Sequence, residues 1–182
     1  MATFIMLPDG VTGTNNWQNY GGATADHTMV DDDTASNSYV YETRVNGVVT
    51  FTMADPSVAE GDIDTINNIT IKLKAHYTDT GQTPAETRTL EVSMKSGVYT
   101  ANTDTHTVTE ALYPLYTGAS EPYHHHTVAW TYSAVENLLV GLKLTQGADR
   151  FHYLRVSYIY AEVDYDAVVS VTDNATFFGA NF

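Results

Sequence analysis

The sequence predicts an all-β domain, a two-sheet antiparallel sandwich of jelly-roll type with one short helix near residues 133–139. Three observations lead there. Apolar residues recur with period two in several separate runs, as half-buried strands require. Thr, Val, Ile and 13 tyrosines are abundant while strong helix formers are scarce. Clusters of turn formers separate the runs with no fixed repeat, so a propeller or solenoid is disfavoured, and about eight or nine strands result. An immunoglobulin-like sandwich is the alternative arrangement.

A chain of 182 residues is long enough for one core without disulfide or metal staples. We expect the sandwich over residues 1–166, including a loop-rich segment at 8–36, and a C-terminal arm at 167–182. That early segment contains Asp9-Gly10, Gly13, Asn15-Asn16, Gly21-Gly22 and Asp31-Asp32-Asp33, which argues for an ordered loop. Trp17 and Tyr20 lie inside it, and large aromatics in a loop act either as anchors on the domain body or as stacking surfaces for a ligand.

Tyr39 to Arg44 and Val48 to Met53 are β-rich runs joined through Asn46-Gly47, a pair that tolerates the positive φ of a tight hairpin turn. The spacing predicts a hairpin. From Ile69 to Tyr77 the pattern alternates, with Ile69, Ile71, Leu73, Ala75 and Tyr77 inward. Leu90, Val92 and Met94 alternate likewise, and two shorter strands, 98–100 and 105–112, are expected around a turn at Asn102 and Asp104.

Residues 124–132 read as a strand in which Val128, Trp130 and Tyr132 share a face with His124 and His126. Ser133-Ala134-Val135-Glu136 then spells a capping box, in which a hydroxyl and a carboxylate satisfy the free backbone N–H groups of a helix start. Leu138, Val140, Leu142 and Leu144 mark the next strand. The last, from about Phe151 to Asp164, carries apolar residues on both faces, which requires a central strand or a bulge that shifts the parity.

There are no cysteines, so disulfides, thiol catalysis and thiolate metal sites are absent. The N-terminus has no basic region and too short an apolar run for a signal peptide or membrane span. With 22 acidic against 8 basic residues and a net charge of −14, the molecule repels phosphate backbones and anionic membranes. We therefore expect neither nucleic acid nor membrane as a partner.

No G-x-S-x-G elbow and no glycine-rich phosphate loop occur, and the number of carboxylates is by itself no sign of glycosidase chemistry. His124 and His126 share a strand face, but zinc needs three or four convergent ligands. Asp31, Asp33, Asp62 and Asp64 are the calcium candidates, although neither acidic run has the spaced pattern that wraps six oxygens around an ion. A solvated acidic loop is the competing reading. No cofactor is expected. Two sequons, at Asn68 and Asn174, carry little without a secretion signal.

Trp130-Thr131-Tyr132, Glu136-Asn137-Leu138, Val140-Gly141-Leu142-Lys143 and Arg155 through Tyr165 form a series that resembles the closing half of a β-sandwich domain in structural proteins of tailed bacteriophages. The front half, with Asn16-Trp17, Ala25-Asp26, Val30 to Thr34, Ser38-Tyr39-Val40 and Val49 to Met53, is similar too, so the resemblance spans about residues 15 to 165. It implies a non-enzymatic virion component assembled in the host cytoplasm, most like a capsid decoration or cement protein. Its partner would be the major capsid protein, and a symmetric homo-oligomer, a trimer, is expected.

The interaction residues expected on this basis are Phe4, Ile5, Trp17, Tyr20, Phe177, Phe178 and Phe182, from the early loop and the two apolar ends. Those ends would either add strands to neighbours or pack on their own domain. The alternative function is a carbohydrate or host-surface binding module on a tail or fibre, with Trp17 and Tyr20 at its site.

Overall fold

The computed structural model describes residues 1–20, 26–30, 39–42, 46–78, 88–97, 99–108, 114–125, 127–146 and 153–169. The described strands are β1 (Ala2–Met6), β2 (Pro8–Val11), β3 (Gln18–Tyr20), β4 (Tyr39–Glu42), β5 (Val48–Met53), β6 (Ile63–Thr78), β7 (Arg88–Ser96), β8 (Tyr99–Val108), β9 (Leu115–Thr117), β10 (Tyr123–His125), β11 (Val128–Ala129), β12 (Leu138–Gln146) and β13 (Tyr153–Ala167). Among the described residues there is a single α-helix, α1 (Tyr132–Glu136), and 3-10 turns cover Asp26–Met29 and Glu60–Asp62.

Two antiparallel sheets result. One runs β3-β4-β13-β6-β9, with β1 also paired to β13, and the other runs β2-β5-β12-β7-β8. From β4 to β7 successive strands alternate between the sheets. β13 inserts between β4 and β6 just as β12 inserts between β5 and β7. This is the pairing of a jelly roll, in which every apolar face meets the opposite sheet.

The alternation places the core where the sequence puts it. Ile69, Ile71, Leu73, Ala75 and Tyr77 of β6, Leu90, Val92 and Met94 of β7, and Leu138, Val140, Leu142 and Leu144 of β12 are all buried in one cluster. In β13 the inward residues are Leu154 and Val156, then Ile159, Ala161, Val163 and Tyr165. The register shift between Val156 and Tyr158 changes the parity, and the strand is also central, so both features foreseen for it are present.

Five local expectations fail. Asn46 has φ 66°, as its turn requires, yet β4 and β5 do not pair; they belong to different sheets. The turn is pinned to β12 instead, Asn46 N–H donating to Leu144 O at 2.7 Å and Leu144 N–H to Gly47 O at 3.2 Å. A two-residue turn fixes local dihedrals; burial of both runs against β12 and β13 decides the partners. Asn102 and Asp104 likewise make no turn but lie within β8, where the register passes from Met94↔Asn102 to Lys95↔Thr100 and one residue bulges out. Pairing with β7 along its length outweighs the local turn preference.

Residues 124–132 are not one strand, since β10 folds back onto β11. The helix starts earlier than the capping-box spelling indicates. Thr131 is its N-cap, with Oγ1 accepting from Ala134 N–H at 3.2 Å, and Leu138 already belongs to β12. The early segment is also more regular than an ordered loop, contributing β2 and β3 as sheet strands.

Candidate functional site

Of the residues expected at an interaction surface, two are in the core. Trp17 is 4% exposed, and its indole Nε1–H donates to Gly47 O at 3.2 Å, which ties the early segment to the corner between β4 and β5. It is an anchor and offers no face to a ligand. Phe4 is 6% exposed and packs against Tyr165 at 5.6 Å between ring centroids. The N-terminal segment is thus used within its own sheet, Ala2 to Met6 pairing with Tyr165 to Ala161.

Ile5 points outward and is half exposed. Tyr20 closes β3, opposite Tyr39. Phe177, Phe178 and Phe182, and the calcium candidates Asp31 and Asp33, lie outside the described residues. Asp62 and Asp64 are both exposed, and among the described residues no group of three or more His, Asp or Glu converges as a metal site. His124 stacks beside Trp130 at 5.8 Å and Tyr99 at 6.5 Å, while His126 is outside the described residues.

A cleft of about 310 Å³ lies where the start of β6 meets the approach to α1. Its lining is Glu60, Ile63, Asp64, Thr65 and Ile66 on one side, and Trp130, Thr131 and Tyr132 on the other. The second of these walls is fixed by bonds from its side chains to backbone carbonyls. Trp130 Nε1–H donates to Glu121 O at 2.9 Å, and the Tyr132 hydroxyl donates to Val58 O at 3.0 Å. Thr131 is held by its role as N-cap.

The rim is acidic. Removal from water raises the Tyr132 phenol above its ordinary pKa, and the carboxylates of Glu136, Glu60 and Asp55 add to the effect because each opposes a second negative charge. The cleft therefore offers carboxylate and hydroxyl acceptors next to an aromatic wall, on rigid supports. Such acceptors are suited to hydrogen bonds from hydroxyl donors.

Asp64 was visible in the sequence only as a calcium candidate, and Trp130 and Tyr132 only as strand residues. Glu60 was visible only as the first residue of the same acidic run. A Trp-Thr-Tyr run directly before a helix start was the available cue, since a cap turns the chain and lets alternate aromatics line one wall.

No family model and no curated protein matches this chain. Among solved structures it is similar to the CBM36-1 domain of a multidomain xylanase from the hindgut metagenome of Trinervitermes trinervoides, at 13% identity and TM-score 0.43, covering 92% of this chain and 100% of that one. It is also similar to a carbohydrate-binding module CBM36 in complex with calcium and xylotriose, at 11% identity and TM-score 0.40, covering 90% of this chain and 100% of the other. The likeness is one of β-sandwich architecture. At these scores it carries no argument about a ligand.

Proposed function

We propose that this chain is a non-enzymatic recognition module of a virion that holds carbohydrate on a host surface through the cleft beside Trp130. The observation that carries this is the composition of the cleft, where the partly exposed ring of Tyr132 stands across from Glu60, Asp64 and Thr65 and the buried Trp130 backs it. A pyranose ring has an apolar face that packs on an aromatic and a rim of hydroxyls that donate to carboxylates. Trp17 is buried and has no ring face to offer, so the aromatic of this proposed site is Tyr132, which is partly exposed. The virion assignment rests on the sequence resemblance.

A glycan array tests it. Hydrogen bonds to a charged acceptor contribute about 1.5–3 kcal/mol each, so Glu60→Gln should weaken a positive signal roughly tenfold or more. An array with no signal for the intact protein, or a signal indifferent to Glu60→Gln and Tyr132→Ala, overturns the reading.

The second reading, a capsid decoration protein bound to the major capsid protein as a trimer, is favoured by one feature. Met1 (92% exposed), Val168 and Val169 (83% exposed) are apolar side chains at the adjoining ends of β1 and β13. Met1→Ser together with Val169→Ser should abolish both co-purification with empty heads and self-association if that corner is the interface.

A further inference from the structure

β6 and β13 are long strands of 16 and 15 residues, and they pair along nearly their whole length within their sheet. One face of this ribbon is the core. The other points away from the second sheet, and the register arranges its side chains in rows. In order these are Arg155 with His76, Tyr158 with Lys74, Tyr160 with Lys72, Glu162 with Thr70, Asp164 with Asn68, and Asp166 with Thr65. They alternate along the strands with buried residues such as Leu73, Ile159 and Val163, so their outward direction follows from the pleat.

The rows divide by charge. Arg155, Lys74 and Lys72 occupy one half, out of only 8 Lys and Arg in the chain, and Glu162, Asp164 and Asp166 occupy the other. At the boundary Lys72 Nζ meets Glu162 Oε1 at 2.8 Å, which neutralises the centre. Arg155 is held at the cationic end over the Tyr39 ring, 4.4 Å from its centroid, and Asp164 at the anionic end accepts from Asn68 Nδ2–H at 3.2 Å. The N-terminal ammonium lies 3.6 Å from Asp166, but both groups are well exposed and water screens the pair.

Apolar surface lies between the two charged ends. Tyr158 and Tyr160 pack ring to ring at 5.1 Å. Beside the ribbon stand Ile5, aligned with Glu162 through β1, and Leu115, aligned with Lys74 through β9; they are 50% and 49% exposed. The face measures roughly 40 Å along the strands and roughly 19 Å across β1, β13, β6 and β9 at ordinary spacings. That is on the order of the 800 Å² per partner that a stable dimer buries.

We propose that this face is the interface of a homodimer, with a second copy of the chain docked on it about a two-fold axis that lies between the two sheets and crosses their strands. Rotation about that axis reverses the order of the rows. The Arg155 and Lys74 end of each copy then covers the Asp164 and Asp166 end of the other, with the tyrosines close to the axis. The contact is isologous and closes at two copies. Aligned sheets keep their strands within about 30° of each other, which preserves the match of halves. The net charge of −14 on each copy opposes association at long range. At physiological ionic strength the Debye length is about 8 Å, so distant charges are screened while the matched halves in contact are not. A polyanion of any kind meets the carboxylate half as a repulsive surface, whereas a second copy supplies both signs in the required order. The dimer depends neither on the cleft nor on the corner at Met1 and Val169.

Sedimentation velocity of the full chain at about 0.15 M salt tests it. The expected result is a concentration-dependent species of twice the 20.0 kDa monomer mass. Lys74→Glu and Asp164→Lys, each alone, set like charges against each other at both ends of the contact and should each leave the chain monomeric up to about 100 μM. Mixed in equal amounts, the two variants should form a heterodimer, because the altered positions then carry opposite charges. Tyr160→Ser, near the axis, should weaken the homodimer roughly tenfold. Thermal melts verify that each variant is folded; should one fail, Arg155→Glu and Asp166→Lys make the same exchange. A parent chain that stays monomeric at about 100 μM, a dimer indifferent to Lys74→Glu, or folded single variants that do not pair on mixing overturns the proposal. Self-association lost in Met1→Ser with Val169→Ser but retained in Lys74→Glu overturns it too, by placing the contact at that corner.

Discussion

The cleft beside Trp130 and a trough over Gly141, in the middle of β12, are both concave, but opposite in construction. The cleft lies where the start of β6 meets the approach to α1, and its walls come from segments far apart in sequence, Glu60 to Ile66 and Trp130 to Tyr132. It is aromatic and acidic. The trough lies on a sheet face, and its shape follows from strand register and the missing side chain of Gly141. Its lining includes Thr14, Thr50 and Ser93, with the Lys143–Glu91 pair and Lys95 at its margin. The difference shows that a strongly acidic net charge says little about a particular surface, because charge is placed residue by residue while the net value only sums it.

The contrast has its largest expected consequence in stability. Trp130 is 4% exposed, so Trp130→Ala should cost about 3–5 kcal/mol in chemical denaturation and erase the cleft with it. Lys95→Gln, on the trough rim, should stay within about 0.5 kcal/mol of the parent. If both changes had similar effects, the separation of a core-built cleft from a surface-built trough would fail.

A smaller effect is expected at the N-cap. Thr131→Ala removes the Oγ1 acceptor of Ala134 N–H and should cost about 1 kcal/mol, with Thr131→Ser recovering most of it. It should weaken binding at the cleft, as titration with a glycan from the array would reveal.

The smallest concerns pH. His106 on β8 packs against Tyr116 on β9 at 5.6 Å, linking the edge of the trough-bearing sheet to the other sheet. Burial lowers its pKa below 6.5, with Asp104 partly opposing the shift. The unfolded chain therefore takes up the proton first, so this contribution to stability is complete above pH 6.5 and is lost as pH falls from there toward the folded-state value. Thermal melts of the protein and of His106→Gln between pH 8 and 5 should converge on acidification. A constant gap between the two would show that His106 titrates alike in both states.

The legibility of these features follows from the range of the interactions that make them. The inward sets of β6, β7 and β12 could be read directly, because side-chain direction alternates with every residue and the alternation is written along the chain. For β13 the apolar residues on both faces pointed to a central strand or a bulge without locating it, and the structure places the register shift between Val156 and Tyr158. Asn46-Gly47 announced its positive φ correctly and its strand pairing wrongly. The Asn102 and Asp104 turn signals were overridden by pairing with β7.

The candidate sites were less legible. Trp17 looked like a loop aromatic until its indole was found bonded to Gly47 O, 30 positions away. Gly141 was an ordinary member of a Gly-Leu strand, and its meaning depends on Thr50 and Ser93 standing beside it.

By itself, then, the sequence determined the all-β class and the buried faces of β6, β7 and β12, because these depend on short-range periodicity and composition. Only the tertiary structure decided which strands are neighbours, that β4 and β5 part company at Asn46, and that a cleft and a trough exist at all. Sheet pairing and concavity are set by competition among contacts distant in the chain. That competition is settled by burial of the whole core, which no single stretch of sequence contains.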